Sequence, residues 1–411
     1  MKRADGLRRV VVTGLGVVTP IGLDMNETWA SMKEGKSGVS RIENFPLDDL
    51  YIHIAGEIKG FDPAKHVKSR KIQYGERYSW FAGRAADEAW TMAGLPTPYG
   101  NPYRSSCIIG SGAGGYSTVE NAYRDLFIHN KRATNPLTLL RIIGSSASAH
   151  VGIEYGIKGP TFGTCSACST ATHAIGLVYD YIRNGLVDVG IAGASEAVLT
   201  YGSMRTWQAM RVLSPDGCFP FSKKRNGTVL GEGAGLLVLE EYEHAVRRGA
   251  KILAELRGFG MSSDSKDMVN PDIDGPLSAM QFALNDAGID PDEVDYLNAH
   301  GTDTKLNDEN ETNAIKKVFG DYARKLAISS TKSMTGHLLG AGGGVEAAVC
   351  IKAINEGWVP PTIGYGEPDP ACDLDYVPNV GRSMKVRYAM SNSFAFGGLN
   401  AVLVFGPPPV V

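Results

Sequence analysis

The sequence predicts an α/β protein built as two packed halves, and three observations carry that reading. Short β-branched runs alternate with Ala-rich amphipathic stretches along the chain, the pattern of sheets covered by helices. Its 411 residues suit two intimately packed units better than one simple domain or three. Two Gly/Ser-rich loops each open an Ala-rich helix followed by an apolar strand: GTCSACSTATHAIG before VDVGIAGA, and TKSMTGHLLGAGGGVEAAVC before NAVLVFG. The halves are placed at residues 1–250 and 251–411, with the division near 240–251.

Strands are expected, in chain order, over 9–13, 106–109, 187–192, 235–239, 252–258, 294–298, 326–329 and 401–405. Each is a short apolar, mostly β-branched run bounded by glycine or polar residues. Helices are expected over 26–33, 78–93, 117–127, 169–183, 276–287, 308–319 and 345–355, where apolar residues recur at helical spacing. Fifty glycines imply tight turns and close backbone approaches, which the missing Cβ permits. The segment 392–400, NSFAFGGLN, reads as a mobile loop with an aromatic stopper, or equally as a core turn.

Composition narrows the function classes. Hydrophobic residues make up 43% and charged residues 21%, ordinary for a soluble globular protein. A net charge of −3 gives no general attraction to nucleic acid or to an anionic membrane. No segment approaches the roughly 18 apolar residues of a membrane-spanning helix. The start, MKRADGLRRVVVTGLG, lacks a signal-peptide core, so a cytoplasmic location is expected. The cysteines at 107, 165, 168, 218, 350 and 372 are then not expected to form a disulfide framework.

Four stretches could carry chemistry. In GTCSACST, small residues crowd Cys168 immediately before a helical pattern. A thiol at a tight turn into a helix N-terminus meets positive partial charge and backbone N–H groups, which favour thiolate and could hold an oxyanion. A buried structural cysteine is the competing reading, and a Cys165-x-x-Cys168 metal or redox pair finds no second close pair of ligands. In DYLNAHGTDT an apolar strand ends at His300, and Gly301 clears space beside an imidazole suited to proton handling and hydrogen-bond donation. A histidine satisfying local backbone groups stays open there. STKSMTGHLLG brings Lys332 and His337 together, and Glu346 on the following helix is a partner for a buried lysine. A solvated loop with a helix cap is the alternative. The fourth stretch is the Phe394–Gly398 part of NSFAFGG.

Taken together and in this order, the cysteine elbow, NAHGT, STKSMTGHLLGA and NSFAFGG, with GEGAG at 231–235, resemble the elongating β-ketoacyl-acyl carrier protein (ACP) synthases, especially type II, and their relatives in specialised nodulation-factor and polyene pathways. The resemblance covers essentially the whole chain. It implies a thiolase-like fold, two pseudo-duplicated halves forming a five-layer αβαβα sandwich. It also implies a Cys-His-His site of Cys168, His300 and His337, with Lys332 and Glu346 as a supporting pair. On the same basis the oxyanion hole and gate fall on Cys168, Phe396, Gly397 and Gly398, and the phosphopantetheine arm on Thr302 and Thr304.

The acyl pocket is expected around Ala113, Thr138 and Trp207, and docking of the acidic carrier protein on Lys65, Lys68, Arg70, Lys71 and Arg211. No metal or organic cofactor is implied, because decarboxylation drives the condensation of an acyl group with malonyl-ACP. The resemblance further implies a homodimer, or a heterodimer with a related ketosynthase or chain-length factor. Three departures stand out. Ala113 replaces a bulky aliphatic residue, NPLT at 135–138 lacks an aromatic pair, and Asp303 replaces a small uncharged residue. The first two suggest a pocket for an unsaturated or bulky chain. A thiolase would need a second reactive cysteine late in the chain, an initiating synthase would carry Asn in place of one histidine, and a non-catalytic chain-length partner would lack Cys168.

Overall fold

The computed structural model describes residues 6–67 and 72–409. The principal strands are β1 (Val10–Val18), β2 (Ser105–Gly110), β3 (Thr161–Phe162), β4 (Val189–Glu196), β5 (Gly233–Glu241), β6 (Ala254–Ser263), β7 (Val294–Asn298), β8 (Ala327–Ser329), β9 (Tyr388–Ala395) and β10 (Leu399–Gly406). The helices that cover and separate them are α1 (Arg77–Ala93), α2 (Ser146–Tyr155), α3 (Thr170–Arg183), α4 (Asp274–Ala287), α5 (Lys305–Phe319) and α6 (Gly342–Glu356).

Among the described residues these strands form one ladder, in the order β8-β7-β9-β10-β6-β1-β5-β4-β2-β3. From β1 outward the first half runs first, fifth, fourth, second, third strand; from β6 outward the second half repeats that permutation. Parallel and antiparallel pairings repeat as well. The halves join edge to edge where Val10–Val12 pair with Ala254–Leu256. α3 and α6 lie between the two half-sheets, α1 and α2 cover one outer face, and α4 and α5 cover the other. This is the expected five-layer sandwich.

The sheet interior explains the run of valines in β1, which is buried along its whole length and so needs no polar alternation. Glycines set the inner-layer spacing. A Cβ on Gly344 would lie 2.1 Å from the Gly235 carbonyl oxygen, and one on Gly343 would lie 2.1 Å from Thr172 Oγ1. The GAGGG run thus lets α6 press against β5 and α3 at once.

Two expectations change. The strand equivalent to β4 in the second half is β9, whereas NAVLVFG belongs to β10, the counterpart of β5. The segment read as a mobile loop joins two strands, with 392–395 in β9 and 399–400 in β10, and only residues 396–398 form the turn. Ser391, Asn392 and Ser393 hid this strand, because they are polar yet fully buried. Asn392 donates to Glu311 and Ser393 pairs with Thr172, so burial leaves these two side chains hydrogen-bonded.

Candidate active site

Cys168 sits in a single 3₁₀ turn between β3 and α3, preceded by Ala167 at φ +47°. A non-glycine residue in the left-handed region is strained and must be held by its surroundings. The Ser/Thr residues around it do so: Thr170 Oγ1 donates to the Ala167 carbonyl (2.7 Å) and accepts from the Ser166 N–H (2.9 Å). Ser169 Oγ contacts the carbonyls of Ser393 and Leu399 at 2.9 and 2.7 Å, tying the elbow to β9 and β10.

The two histidines arrive from the second half. His300 ends the chain segment leaving β7, where its N–H and that of Gly301 donate to the Glu311 carboxylate, both at 2.8 Å. The Thr302 N–H donates to Asp308, 3.1 Å away. Asp308 and Glu311 were missed by sequence reading. Their spacing of three residues on α5 puts both carboxylates on one helix face and is the signal that could have found them. His337 follows the short helix Lys332–Thr335, and its Nε2 lies 3.0 Å from Cys168 Sγ. The two imidazole centroids are 5.5 Å apart. Sγ and one ligating nitrogen from each histidine all lie within 4.8 Å of one another.

Protonation follows from the hydrogen bonds. The Leu339 N–H donates to His337 Nδ1 at 3.3 Å, so Nε2 carries the proton and points a donor at Sγ. Burial, reinforced by the positive Lys332, drives both imidazoles well below the ordinary histidine value, so both rings are neutral. Burial also pushes the Cys168 thiol up to about 12, with Lys332 opposing. The helix terminus is expected to favour thiolate, and desolvation of the buried thiol outweighs that effect. A metal would need Nε2 deprotonated and would sit beside the lysine charge, so the trio suits hydrogen-bond donation better than ligation.

Lys332 donates to Glu346 at 2.5 Å behind the histidines, both side chains being fully buried. Cys168, His300 and His337 open onto a cavity of about 240 Å³ that is also lined by Thr302, Thr304 and Trp207. Phe396, Gly397 and Gly398 line its other side, and Phe396 stacks on Trp207 with centroids 6.1 Å apart. The Gly397 N–H donates to the Met268 carbonyl, 2.9 Å away.

Other expected site residues fall elsewhere. Ala113 packs in the same apolar cluster as Cys168 without lining the cavity, and Thr138 starts the short helix Thr138–Ile142, also away from it. Lys65 is exposed and pairs with Asp62 at 3.6 Å; Arg211 is exposed and precedes the cavity-lining Val212. Lys68, Arg70 and Lys71 lie outside the described residues. Cys165 is exposed and reaches the Gly112 carbonyl, and both it and Cys168 are free thiols.

Comparison with known proteins decides the family. Family models described as "Beta-ketoacyl synthase, N-terminal domain" and "Beta-ketoacyl synthase, C-terminal domain" match residues 7–245 and 253–366. The chain belongs to the β-ketoacyl synthase family. It is 48% identical over 398 residues to nodulation protein E of Rhizobium meliloti (strain 1021), covering 97% of this chain and 99% of that protein. Identity is 42% over 405 residues to 3-oxoacyl-[acyl-carrier-protein] synthase 2 of Staphylococcus aureus (strain COL), covering 97% and 98%. Among solved structures, the ishigamide ketosynthase/chain length factor superposes with a TM-score of 0.93 at 34% identity, over 98% of this chain and all of that one. The ketosynthase in the AntDE:AntF complex, whose carrier protein is bound to it, gives 0.90 at 35%, also over 98% and all of that chain. This β-ketoacyl synthase is an acyl-transferring condensing enzyme of chain elongation, and among the described residues no helix is long and apolar enough to cross a membrane.

The synthase carries an unusual buried acid beside its site. Asp303, at φ +70°, is inaccessible to solvent, and burial with the nearby Asp308 raises its pKa to about 9, against the Phe219 N–H and the Arg225 charge. The unfolded chain, with an ordinary aspartate, loses this proton first, so the group weakens the fold progressively as pH rises towards its folded pKa. Asp303→Asn, which tolerates the same φ, is expected to stabilise the protein by about 1–3 kcal/mol at about pH 9 and by little at about pH 4. Urea unfolding across that range checks it, and equal effects at both ends would contradict it.

Proposed function

We propose that this synthase loads an acyl group from an acyl-ACP onto Cys168 and condenses it with malonyl-ACP. The single observation that carries this reading is the buried Cys168–His337 contact, with His337 fixed as a donor by Leu339. In the loading step Sγ attacks the thioester carbonyl, the C–S bond to the carrier breaks, and the thiol proton leaves with the pantetheine thiol. The backbone N–H groups of Cys168 and Phe396 hold the transient oxyanion. Phe396 then gates entry of malonyl-ACP on its 396–398 turn.

In the second step the bond to the malonyl carboxylate breaks and carbon dioxide departs. The electron pair moves into an enolate whose oxygen accepts hydrogen bonds from His300 and His337. The carbanion attacks the acyl-Cys168 carbonyl, a C–C bond forms, and the C–S bond to Cys168 breaks. Lys332 and Glu346 hold the histidines in register, and Thr302 with Thr304 contacts the pantetheine arm. The sequence needs no metal or organic cofactor. The halves 1–250 and 251–411 act as units supplying the nucleophile and the histidines respectively.

Carrier-protein docking is assigned to the basic residues Lys65, Lys68, Arg70, Lys71 and Arg211, whose charge complements an acidic partner and steers encounter. Exposed Phe127, Ile128, Leu139 and Leu140, on or next to two helices that touch one another, support a dimer, since solvated apolar clusters of this kind mark interfaces. The assembly is a homodimer, or a heterodimer with a related ketosynthase or chain-length factor, and it works in the cytoplasm. The similarity to nodulation protein E, with a small residue at Ala113 in the apolar cluster that holds Cys168, favours a specialised pathway with an unsaturated or bulky acyl chain.

Intact mass after incubation with acyl-ACPs of different length and unsaturation tests the proposal, beside a Cys168→Ala control. The expected result is one acyl adduct per chain, lost in the control and strongest with unsaturated donors. A preference for plain saturated medium chains would remove the specialised-pathway reading. No adduct from any donor would favour a chain that acts only beside a partner ketosynthase.

A further inference from the structure

We infer that Glu196 is a positioning residue that couples the loop bearing Ala113 to the hydrogen-bonding state of His337. This rests on the reading of His337 as a donor to the malonyl thioester. Glu196 ends β4 and is inaccessible to solvent. Its carboxylate is held by neutral donors from two sides. Oε1 accepts from Ser111 Oγ at 2.8 Å and from the Ala113 N–H at 3.1 Å. Oε2 accepts from the Gly112 N–H at 2.8 Å and, from the second half of the chain, from the Gly340 N–H at 3.1 Å.

Gly340 adjoins Leu339, whose N–H fixes the tautomer of His337 and whose backbone is held at φ +47°. A continuous relay therefore runs from Ser111 and Ala113 through one carboxylate to the Leu339–Gly340 turn, to His337 Nδ1, and through the ring to Cys168. The packing leaves no slack in it. A Cβ on Gly340 would come 2.7 Å from Glu196 Oε2 and 3.0 Å from the Gly112 nitrogen, and a Cβ on Gly112 would come 2.9 Å from the same oxygen. Burial raises the pKa of Glu196 while its four donors oppose that rise. A displacement of the 111–113 loop is thus transmitted to the turn that keeps the proton on His337 Nε2.

Glu196→Gln tests this in the full-length protein, because one carboxylate oxygen becomes an NH₂ facing N–H groups. Ring ¹⁵N shifts of histidine-labelled protein report the His337 tautomer, assigned against His337→Ala. The expected result is a shift of population from Nε2–H towards Nδ1–H. Condensation kcat should fall about 10- to 100-fold with little change in KM for malonyl-ACP, the scale of a misplaced group, while Cys168 still takes an acyl adduct.

Ser111→Ala removes one donor on the far side of the carboxylate and is expected to move the His337 signals in the same direction by a smaller amount; it decides the matter if Glu196→Gln does not fold. Unchanged His337 signals in a folded variant overturn the inference, and so does a rate loss that only tracks the folded fraction. A wild-type protein that takes no acyl group would sink the proposed function instead. The tautomer measurement uses no substrate and still judges Glu196.

Discussion

His337→Ala is expected to slow condensation about 10²–10³-fold, the usual cost of removing one preorganised donor from a developing oxyanion. The argument is the tautomer. With Nδ1 accepting from the Leu339 N–H, Nε2 can only donate, and burial with the Lys332 charge keeps the ring neutral. A neutral donor stabilises the enolate without handing over its proton, and costs no reorganisation when charge develops. Acyl loading should suffer less, since its oxyanion is proposed to sit on backbone N–H groups instead. His300→Ala should act similarly, and the double variant should lose less than the product of the two, because both imidazoles serve one oxygen. Single-turnover measurement separates the steps, with intact mass following loading and β-ketoacyl product following condensation. Equal loss in both steps would instead make His337 a base towards Cys168.

Lys332→Met is expected to destabilise the fold by about 3–5 kcal/mol, because it strands a buried carboxylate. Lys332 and Glu346 contact one another at 2.5 Å with 2% and 4% of their side chains exposed, so no solvent can replace the missing partner. Removing both charges together, as Lys332→Met with Glu346→Leu, should restore most of the stability, since an apolar pair of similar volume is nearly neutral. It should not restore activity. Loss of the lysine charge also removes one cause of the depressed imidazole pKa values, so both rings should titrate at higher pH in the double variant. Guanidinium unfolding of the single and double variants checks the stability claim, and a single-variant cost below about 1 kcal/mol would place the pair among the weak surface bridges.

Much of this was legible in the sequence because the signals were local. The helices over 78–93 and 169–183 and the strand over 294–298 emerged within a residue or so of where the spacing put them. Cys168, His300 and His337 were legible as residues beside small or glycine neighbours, and the whole-chain resemblance named them as one set. β9 was not legible, because its Ser391-Asn392-Ser393 run is polar and only the side chains of α3 and α5 make it affordable to bury. The charge state of Cys168 was not legible for the same reason: a helix terminus is visible in sequence, but desolvation is a property of everything packed around the thiol. Glu196, Asp308 and Glu311 escaped notice because each acts on backbone N–H groups that are distant in sequence or carry no residue signature.

By itself, then, the sequence determined the α/β layering and the identity of the reactive side chains, since periodicity and residue chemistry reside in neighbouring positions. Tertiary structure alone decided that a cysteine in one half would lie 3.0 Å from a histidine in the other, and which ring nitrogen would bear the proton. Those facts depend on backbone amides and burial brought together by packing across the seam, and no local pattern encodes them.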